Sequence, residues 1–406
     1  MDAALSYYVQ PIANLKILVA HGAYQQRGGE DVAVEAEIDL LRSFGHHVME
    51  YRRDNAAIKS EKRLNLLQQT IWSRTSASAI RELIGDEKPD VLHVHNTFPL
   101  LSPAIYWTAE RAGVPVVQTL HNYRLLCASA MFLRDGNICE DCLGKLPWRG
   151  ALRKCYRGST SQSTVLVGML GIHRALGTYR NKINRYIALS EFSKRKFIAG
   201  GIPVEKLSVK PNFVDIPPPQ NSERKGGLFV GRLSEEKGLK VLAEALRLSP
   251  NVNCSIVGAG PQQDLISNTK QIRYLGSCSA EQVYAHMNAA SYLVMPSIAF
   301  EHFPRTLVEA FACVLPVIAS RLGPLAELID DGETGLLFDP GSAQDLASKL
   351  RFAEARPDIM RQMGAKARAE YELKYTPQRN YQRLMGIYTD AISANKTQLA
   401  LNYGTG

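Results

Sequence analysis

Short β-rich runs alternate with helix-periodic segments in two separate series, and this alternation constrains the fold more than any other feature of the chain. The first series is KILVA from Lys16, HHVMEYRR from His46, DVLHVHN from Asp90, VPVVQTLHN from Val114 and RYIALS from Arg185. The second restarts with GGLFVGR at Gly226 and continues through VNCSIVGAGP, RYLGS, SYLVMPS, LPVIAS and TGLLF. Between strands lie segments such as VAVEAEIDLLRSFG, apolar at helical spacing and stopped by Gly45. Strands that alternate with helices form parallel sheets covered on both faces. The expectation is an α/β protein of two doubly wound, Rossmann-like domains facing a cleft. KPNFVDIPPPQNSERKGG, rich in Pro and polar residues, is the linker candidate. Boundaries are set at 1–212 for the first domain and 213–376 for the second. A terminal helix in 377–406 is expected to cross back to the first domain, and Asn212 to Pro219 is the candidate hinge.

A chain of 406 residues, 45% hydrophobic and 21% charged, suits two soluble domains, each able to bury its own core. The N-terminus has no basic region followed by an apolar one, and nowhere do eighteen apolar residues run together. A cytoplasmic protein is therefore expected, in which thiols stay reduced. The net charge of +9 suits nucleic acid, anionic lipid or a phosphorylated ligand without choosing among them.

Four motifs carry chemistry. EHFPRTLVEA, Glu301 to Ala310, follows a strand and opens a helix at Pro304. The amides of Arg305, Thr306 and Leu307 would then offer a seat for phosphate. Glu301 and Glu309 would stand on the order of 12 Å apart if helical throughout, too far to flank one glycosidic bond. FVGRLSEEKG places Arg232 and Lys237 on a loop after a strand, where two cations could clamp a diphosphate. Gly28 and Gly29 let backbone approach a ligand but lack the spacing of a dinucleotide fingerprint, and GAGP at Gly258 is similarly weak. His121 lies just past a strand end. His93 and His95 point to one face of their strand and are read as structural, having no carboxylate or cysteine nearby in sequence.

The order of these pieces resembles the retaining glycosyltransferases of family 4, which have the GT-B fold, and the resemblance runs from Lys16 to about Tyr388. It implies that Glu301 contacts donor-sugar hydroxyls and Glu309 the ribose. It implies that Arg232 and Lys237 hold the diphosphate and steady the leaving group. Gly28 and Gly29 would lie over phosphates or acceptor and His121 beside the transferred sugar. Phe303, Thr306 and Leu307 would line the donor site, and the base would rest near Tyr274. The substrates implied are a UDP- or GDP-sugar and a saccharide or lipid-linked acceptor, with no cofactor or divalent metal needed for catalysis and no nucleic acid. Many relatives read E-G-F-G where this chain has Glu301-His302-Phe303-Pro304, so any amide contact from the usual glycine is lost.

Two features stand outside that core. CASAMFLRDGNICEDCLGKLPWRGALRKC, within an insert of about 123–160, carries Cys127, Cys139, Cys142 and Cys155. Its C-x11-C-x2-C-x12-C spacing is compatible with a structural zinc site, with four independent thiols, or with a disulfide or redox pair. Gly171 to Phe197 is basic and is a candidate for peripheral docking on an anionic membrane. Three other functions compete: a sugar-nucleotide epimerase, a phosphorylase on the same fold, and a zinc-knuckle nucleic-acid binder. The paired glutamates count against the epimerase and the lack of a pyridoxal phosphate lysine signature against the phosphorylase. The basic residues are not interleaved with aromatics on a compact module, which counts against the nucleic-acid binder.

Overall fold

The computed structural model describes residues 14–24, 28–55, 63–217, 223–267 and 269–403. Every β-rich run of both series forms a strand. In the first domain these are β1 (Lys16–Ala23), β2 (His47–Asp54), β3 (Val91–Val94), β4 (Val116–Leu120), β7 (Arg185–Ala188) and β8 (Leu207–Val209). A small antiparallel pair, β5 (Leu133–Arg134) and β6 (Asn137–Ile138), lies in the cysteine insert. The second domain holds β9 (Gly227–Val230), β10 (Cys254–Val257), β11 (Ile272–Gly276), β12 (Tyr292–Met295), β13 (Val317–Ser320) and β14 (Gly335–Phe338).

Both large sheets are parallel throughout, with orders β2-β1-β3-β4-β7-β8 and β11-β10-β9-β12-β13-β14. Counted within its own sheet, the second order is 3-2-1-4-5-6, and the first has the 2-1-3-4-5 start of flavodoxin-like sheets. Each direction change marks a crevice at the strands' carboxyl ends, between β1 and β3 in one domain and between β9 and β12 in the other. β3, β4, β12, β13 and β14 are buried at every position because helices cover both faces, so they are mostly apolar, with His93, Gln118, Thr119 and Ser320 as the buried polar exceptions.

The chain crosses between domains twice. After the linker and the second sheet, the helix Pro377–Tyr403 returns to the first domain. Leu384, Met385, Ile387, Tyr388 and Ala391 on that helix pack with Ile17, Val19, Val91, Val117 and Ile187 of the first sheet. Its polar side chains are committed too. Tyr381 stacks on Phe44 at 3.7 Å, and Asn380 donates to the carbonyl of Pro211 at 2.6 Å. Pro211 precedes the candidate hinge, whose residues Pro218 and Pro219 lie outside the described residues.

Candidate active site

Three backbone loops meet at the carboxyl ends of β9, β10 and β12. The turn after β9 carries Arg232 and Lys237, and two glycines set how closely its neighbours approach. A Cβ on Gly238 (φ +70°) would lie 1.8 Å from the carbonyl oxygen of Pro296, and one on Gly258 (φ +138°) would lie 1.9 Å from that of Gly231. Only glycine fits either contact. GAGP, weak as a motif, is thus the segment that supports the Arg232 loop. Gly231 and Leu233 donate to the carbonyls of Val257 and Ala259, each at 3.0 Å.

Lys237 and Glu301 form the centre of the site. The ammonium lies 2.7 and 3.0 Å from the two carboxylate oxygens, and Ser297 donates to Oε1 at 2.6 Å. Burial alone would raise the Glu301 pKa, but the charge of Lys237 and hydrogen bonds from Lys237 and Ser297 outweigh it, so the carboxyl is held below its ordinary range. Arg232 stands exposed on the same loop. Glu309 accepts from Arg305 Nε at 2.9 Å, one helical turn away. Tyr274 donates to the Gly258 carbonyl at 3.0 Å, which brings β11 against the same loops.

The helix start needs a correction. Of the three amides expected to be free, Arg305 donates to the Phe303 carbonyl and Leu307 to that of Pro304, each at 2.9 Å. A tight turn around Pro304 (φ −77°, ψ 81°) closes them, leaving Thr306 as the one of the three without a backbone partner among the described residues. Leu307 is fully buried and Phe303 leans on the apolar core near Tyr375, so their side chains serve packing.

The first domain meets this loop from across the cleft. His302 Nε2 lies 2.8 Å from the Ala130 carbonyl and 3.1 Å from the Tyr123 amide, so one tautomer donates to the former and the other accepts from the latter. Burial lowers its pKa to about 4, which keeps the ring neutral. Glu327 of the second domain accepts from the amides of Glu191 (2.8 Å) and Phe192, capping the helix Glu191–Ala199 of the first. His302, Ser297 and Glu327 were not singled out from sequence, since a residue's partner in the other domain leaves no local pattern.

His121 belongs to a buried cluster rather than standing alone. Its Nε2 lies 2.9 Å from His95 Nδ1, and burial drives its pKa well down. A carboxylate does lie near His93 and His95, though far off in sequence: Glu37 Oε1 is 3.2 Å from His93 Nδ1 and 3.6 Å from His95 Nε2. These three are the one group among the described residues with ligand atoms all within 4.8 Å of one another. Lys210, however, puts its ammonium 2.5 Å from Glu37 Oε2. A fixed cation on that carboxylate opposes a metal ion, and the network is completed instead by Tyr388 at 2.7 Å from His93. Gly28 donates to Asp31 Oδ2 at 2.9 Å, and Gly29 opens the next helix with no neighbour where a Cβ would stand.

The four insert cysteines are free thiols, Cys127 buried and the others partly exposed. The β5–β6 hairpin leads into the knuckle, where Cys139 donates its amide to the Phe132 carbonyl at 2.8 Å. Cys155 and the Cys127–Ala128 step lie close to Gly150. Its amide donates to the Pro147 carbonyl at 2.9 Å, and a Cβ there would lie 3.8 Å from that of Cys155 and 2.7 Å from that of Ala128, the neighbour of Cys127. Burial, then the neighbouring thiols, push Cys142 and Cys155 up. No three of these sulfurs lie within 4.8 Å of one another, so a metal would have to draw them together.

Comparison with known proteins agrees with this architecture. The profile for Glycosyltransferase Family 4 matches residues 33–216, and that for Glycosyl transferases group 1 matches residues 216–370. The chain is similar to a phosphatidyl-myo-inositol mannosyltransferase of Mycobacterium leprae, 29% identical over 80% of this chain and 79% of that one. Its fold is that of an Anabaena protein solved with UDP-glucose (TM-score 0.66, 18% identity, 93% and 100% of the chains covered). It is equally that of sucrose-phosphate synthase from Thermosynechococcus elongatus (TM-score 0.70, 17% identity, 94% and 100% covered). Two contiguous profile matches and two facing parallel-sheet domains lead to one conclusion: the chain belongs to the family 4 glycosyltransferases, with the GT-B fold.

Proposed function

We propose that this glycosyltransferase moves a hexose-type sugar from a UDP- or GDP-sugar to a saccharide or lipid-linked acceptor, with retention of configuration and without a divalent metal. The Lys237–Glu301 pair carries the reading. It holds a carboxylate in its ionised, hydrogen-bond-accepting form at the switch point of the second sheet, with Arg232 exposed beside it. Glu301 would take donor-sugar hydroxyls, Lys237 and Arg232 the diphosphate, Glu309 the ribose, and the glycine loops beside Tyr274 the base. Developing negative charge on the leaving nucleotide is then met by fixed cations. His121 would support the sugar side through the histidine cluster. Release of UDP from UDP-glucose, or GDP from GDP-mannose, is the assay. Glu301→Ala and Arg232→Ala should each lower it at least a hundredfold, and undiminished release in both would remove this assignment.

Among the described residues no helix is long and apolar enough to cross a membrane. For a peripheral contact, the support shifts away from the basic segment at 171–197. Arg174 donates to the carbonyls of Leu125 and Lys145, while Lys182 and Lys196 pair with Glu110 and Glu140. The insert is the better docking face. Its helix Trp148–Leu152 leaves Trp148 52% and Leu152 70% exposed, flanked by Arg149 and Lys154, while Arg153 pairs with Asp141. Trp148→Ser with Leu152→Ser should reduce sedimentation with phosphatidylglycerol vesicles; no change would exclude this face.

A further inference from the structure

The loop that carries Glu301, between β12 and the helix Arg305–Ala312, is held by both domains at once. Within its own domain the Glu301 carboxylate is fixed by Lys237 and Ser297. The residues on either side of Glu301 pack instead on the first domain. Phe300, 9% exposed, sits in the first domain's apolar cluster, its ring centroid 4.8 Å from that of Phe192 and 6.2 Å from that of Phe132. The His302 ring lies 4.4 Å from that of Tyr123 and puts Nε2 2.8 Å from the Ala130 carbonyl. The His302 carbonyl faces the Ser193 hydroxyl at 3.4 Å, and that of Glu301 faces the Tyr123 hydroxyl at 3.5 Å.

The proton on the His302 ring can be assigned. Burial keeps the ring neutral, so it carries a single N–H. A carbonyl oxygen only accepts, and at 2.8 Å it would repel a bare ring nitrogen. Nε2 therefore carries the hydrogen and donates to Ala130. The Tyr123 amide loses nothing by this, since it also reaches the Ala130 carbonyl at 3.3 Å. Apolar packing around Phe300 is not directional, and the two hydroxyl contacts are long. The bond from His302 to Ala130 is both short and directional. Ala130 itself has a left-handed φ of +65° and donates to the Cys127 carbonyl at 2.9 Å, closing a turn at the start of the cysteine insert. One hydrogen bond thus links the insert to the residue next to Glu301.

We infer that His302 is a positioning residue: by donating to Ala130 it fixes the register between the first domain's insert and Glu301, so that the carboxylate is aimed at the donor sugar only while the two domains are seated together. This rests on the glycosyltransferase reading above and adds a residue to it. A glycine at 302, usual among relatives, has no side chain with which to make the bond. Removing the imidazole orphans neither backbone group, because the Tyr123 amide and the Ala130 carbonyl keep each other. The fold therefore survives the change. The loss falls on turnover rather than on nucleotide affinity, which the reading above gives to other residues.

The test compares wild type, His302→Ala and His302→Gln as full chains. Release of UDP from UDP-glucose, or of GDP from GDP-mannose, is measured beside calorimetric titration of the matching nucleotide. His302→Ala should lower kcat at least about tenfold and shift the nucleotide Kd less than about twofold. Glutamine can bring an amide nitrogen to the place of Nε2 and should recover at least about a third of the wild-type kcat. Wild-type kcat in His302→Ala, a Kd that weakens in step with kcat, or a glutamine variant no better than alanine would each overturn the proposal. Hydrogen exchange by mass spectrometry gives a readout that needs no turnover. Peptides over 298–304 should exchange at least about threefold faster in His302→Ala and at the wild-type rate in His302→Gln. Unchanged exchange in His302→Ala would overturn the proposal as well. If the wild type releases neither nucleotide while exchange behaves as stated, the transfer reading falls and the clamp on the Glu301 loop stands.

Discussion

Lys237 and Glu301 are each other's solvation in a site that shields both, with side chains 28% and 14% exposed. Removing one partner strands the other, which costs more than the pair contributes. Lys237→Met should therefore lower stability by about 1–3 kcal/mol as well as abolish nucleotide release. Adding Glu301→Gln should restore part of the stability and none of the activity. A double-mutant cycle by urea denaturation checks this, and strictly additive losses would mean that the pair is not coupled. At this scale position was legible where strand, loop and helix start adjoin in the chain: Arg232 and Lys237 stand on the loop after β9, and Glu301 and Glu309 around the helix start after β12. Glu37 with Lys210 and His93 with Tyr388 could not be read, since they meet across 173 and 295 positions.

Among the elements, the loops at the carboxyl ends of the second sheet pack backbone against backbone, and a single methyl group tests how tightly. Gly238→Ala combines a left-handed φ with a contact that no side chain can take, so the loop must move. A loss of about 2 kcal/mol or more is expected, with weakened UDP binding; calorimetric titration and urea midpoints would show it. Wild-type affinity in that variant would mean that the loop tolerates displacement. The cysteine insert is a different case. It has two-residue strands, a five-residue helix and left-handed residues at Ala130, Phe132, Asp135, Lys154 and Arg157, so little regular hydrogen bonding holds it. A structural zinc on Cys127, Cys139, Cys142 and Cys155 remains our proposal for what would fasten it. About one zinc per chain, lost in Cys139→Ser with Cys142→Ser, is the expected metal content; none in protein purified without chelator would end the idea. The strands were legible because parallel strands covered on both faces are mostly apolar, short and bounded by turn residues. The closed amides after Pro304 were not, because helix-start geometry depends on a turn that sequence only suggests.

Across the whole molecule, charge burial is uneven. The first domain encloses His21, His93, His95 and His121 around Glu37, Lys210 and Asp31. Burial lowers all four pKa values, that of His93 to about 4. The unfolded chain binds protons on these rings below about pH 6.5, and the folded one refuses them. Stability is therefore full above that pH and falls as the pH drops towards 4, by up to about 1.4 kcal/mol per pH unit for each histidine. Calorimetry from pH 7 to pH 5 should show the first domain's transition moving down more steeply than the second's; parallel shifts would contradict the cluster's role.

The returning helix Pro377–Tyr403 also sets an order of events during synthesis. The apolar face formed by Ile17, Val19, Val91, Val117 and Ile187 leaves the ribosome before the second domain, but the residues that cover it are translated only after that domain. The second domain has all six of its strands by Phe338, so it can fold while the first still carries a bare sheet face. A nascent chain of this protein is thus most exposed to aggregation and to chaperone capture through its first sheet, until the returning helix arrives to cover it.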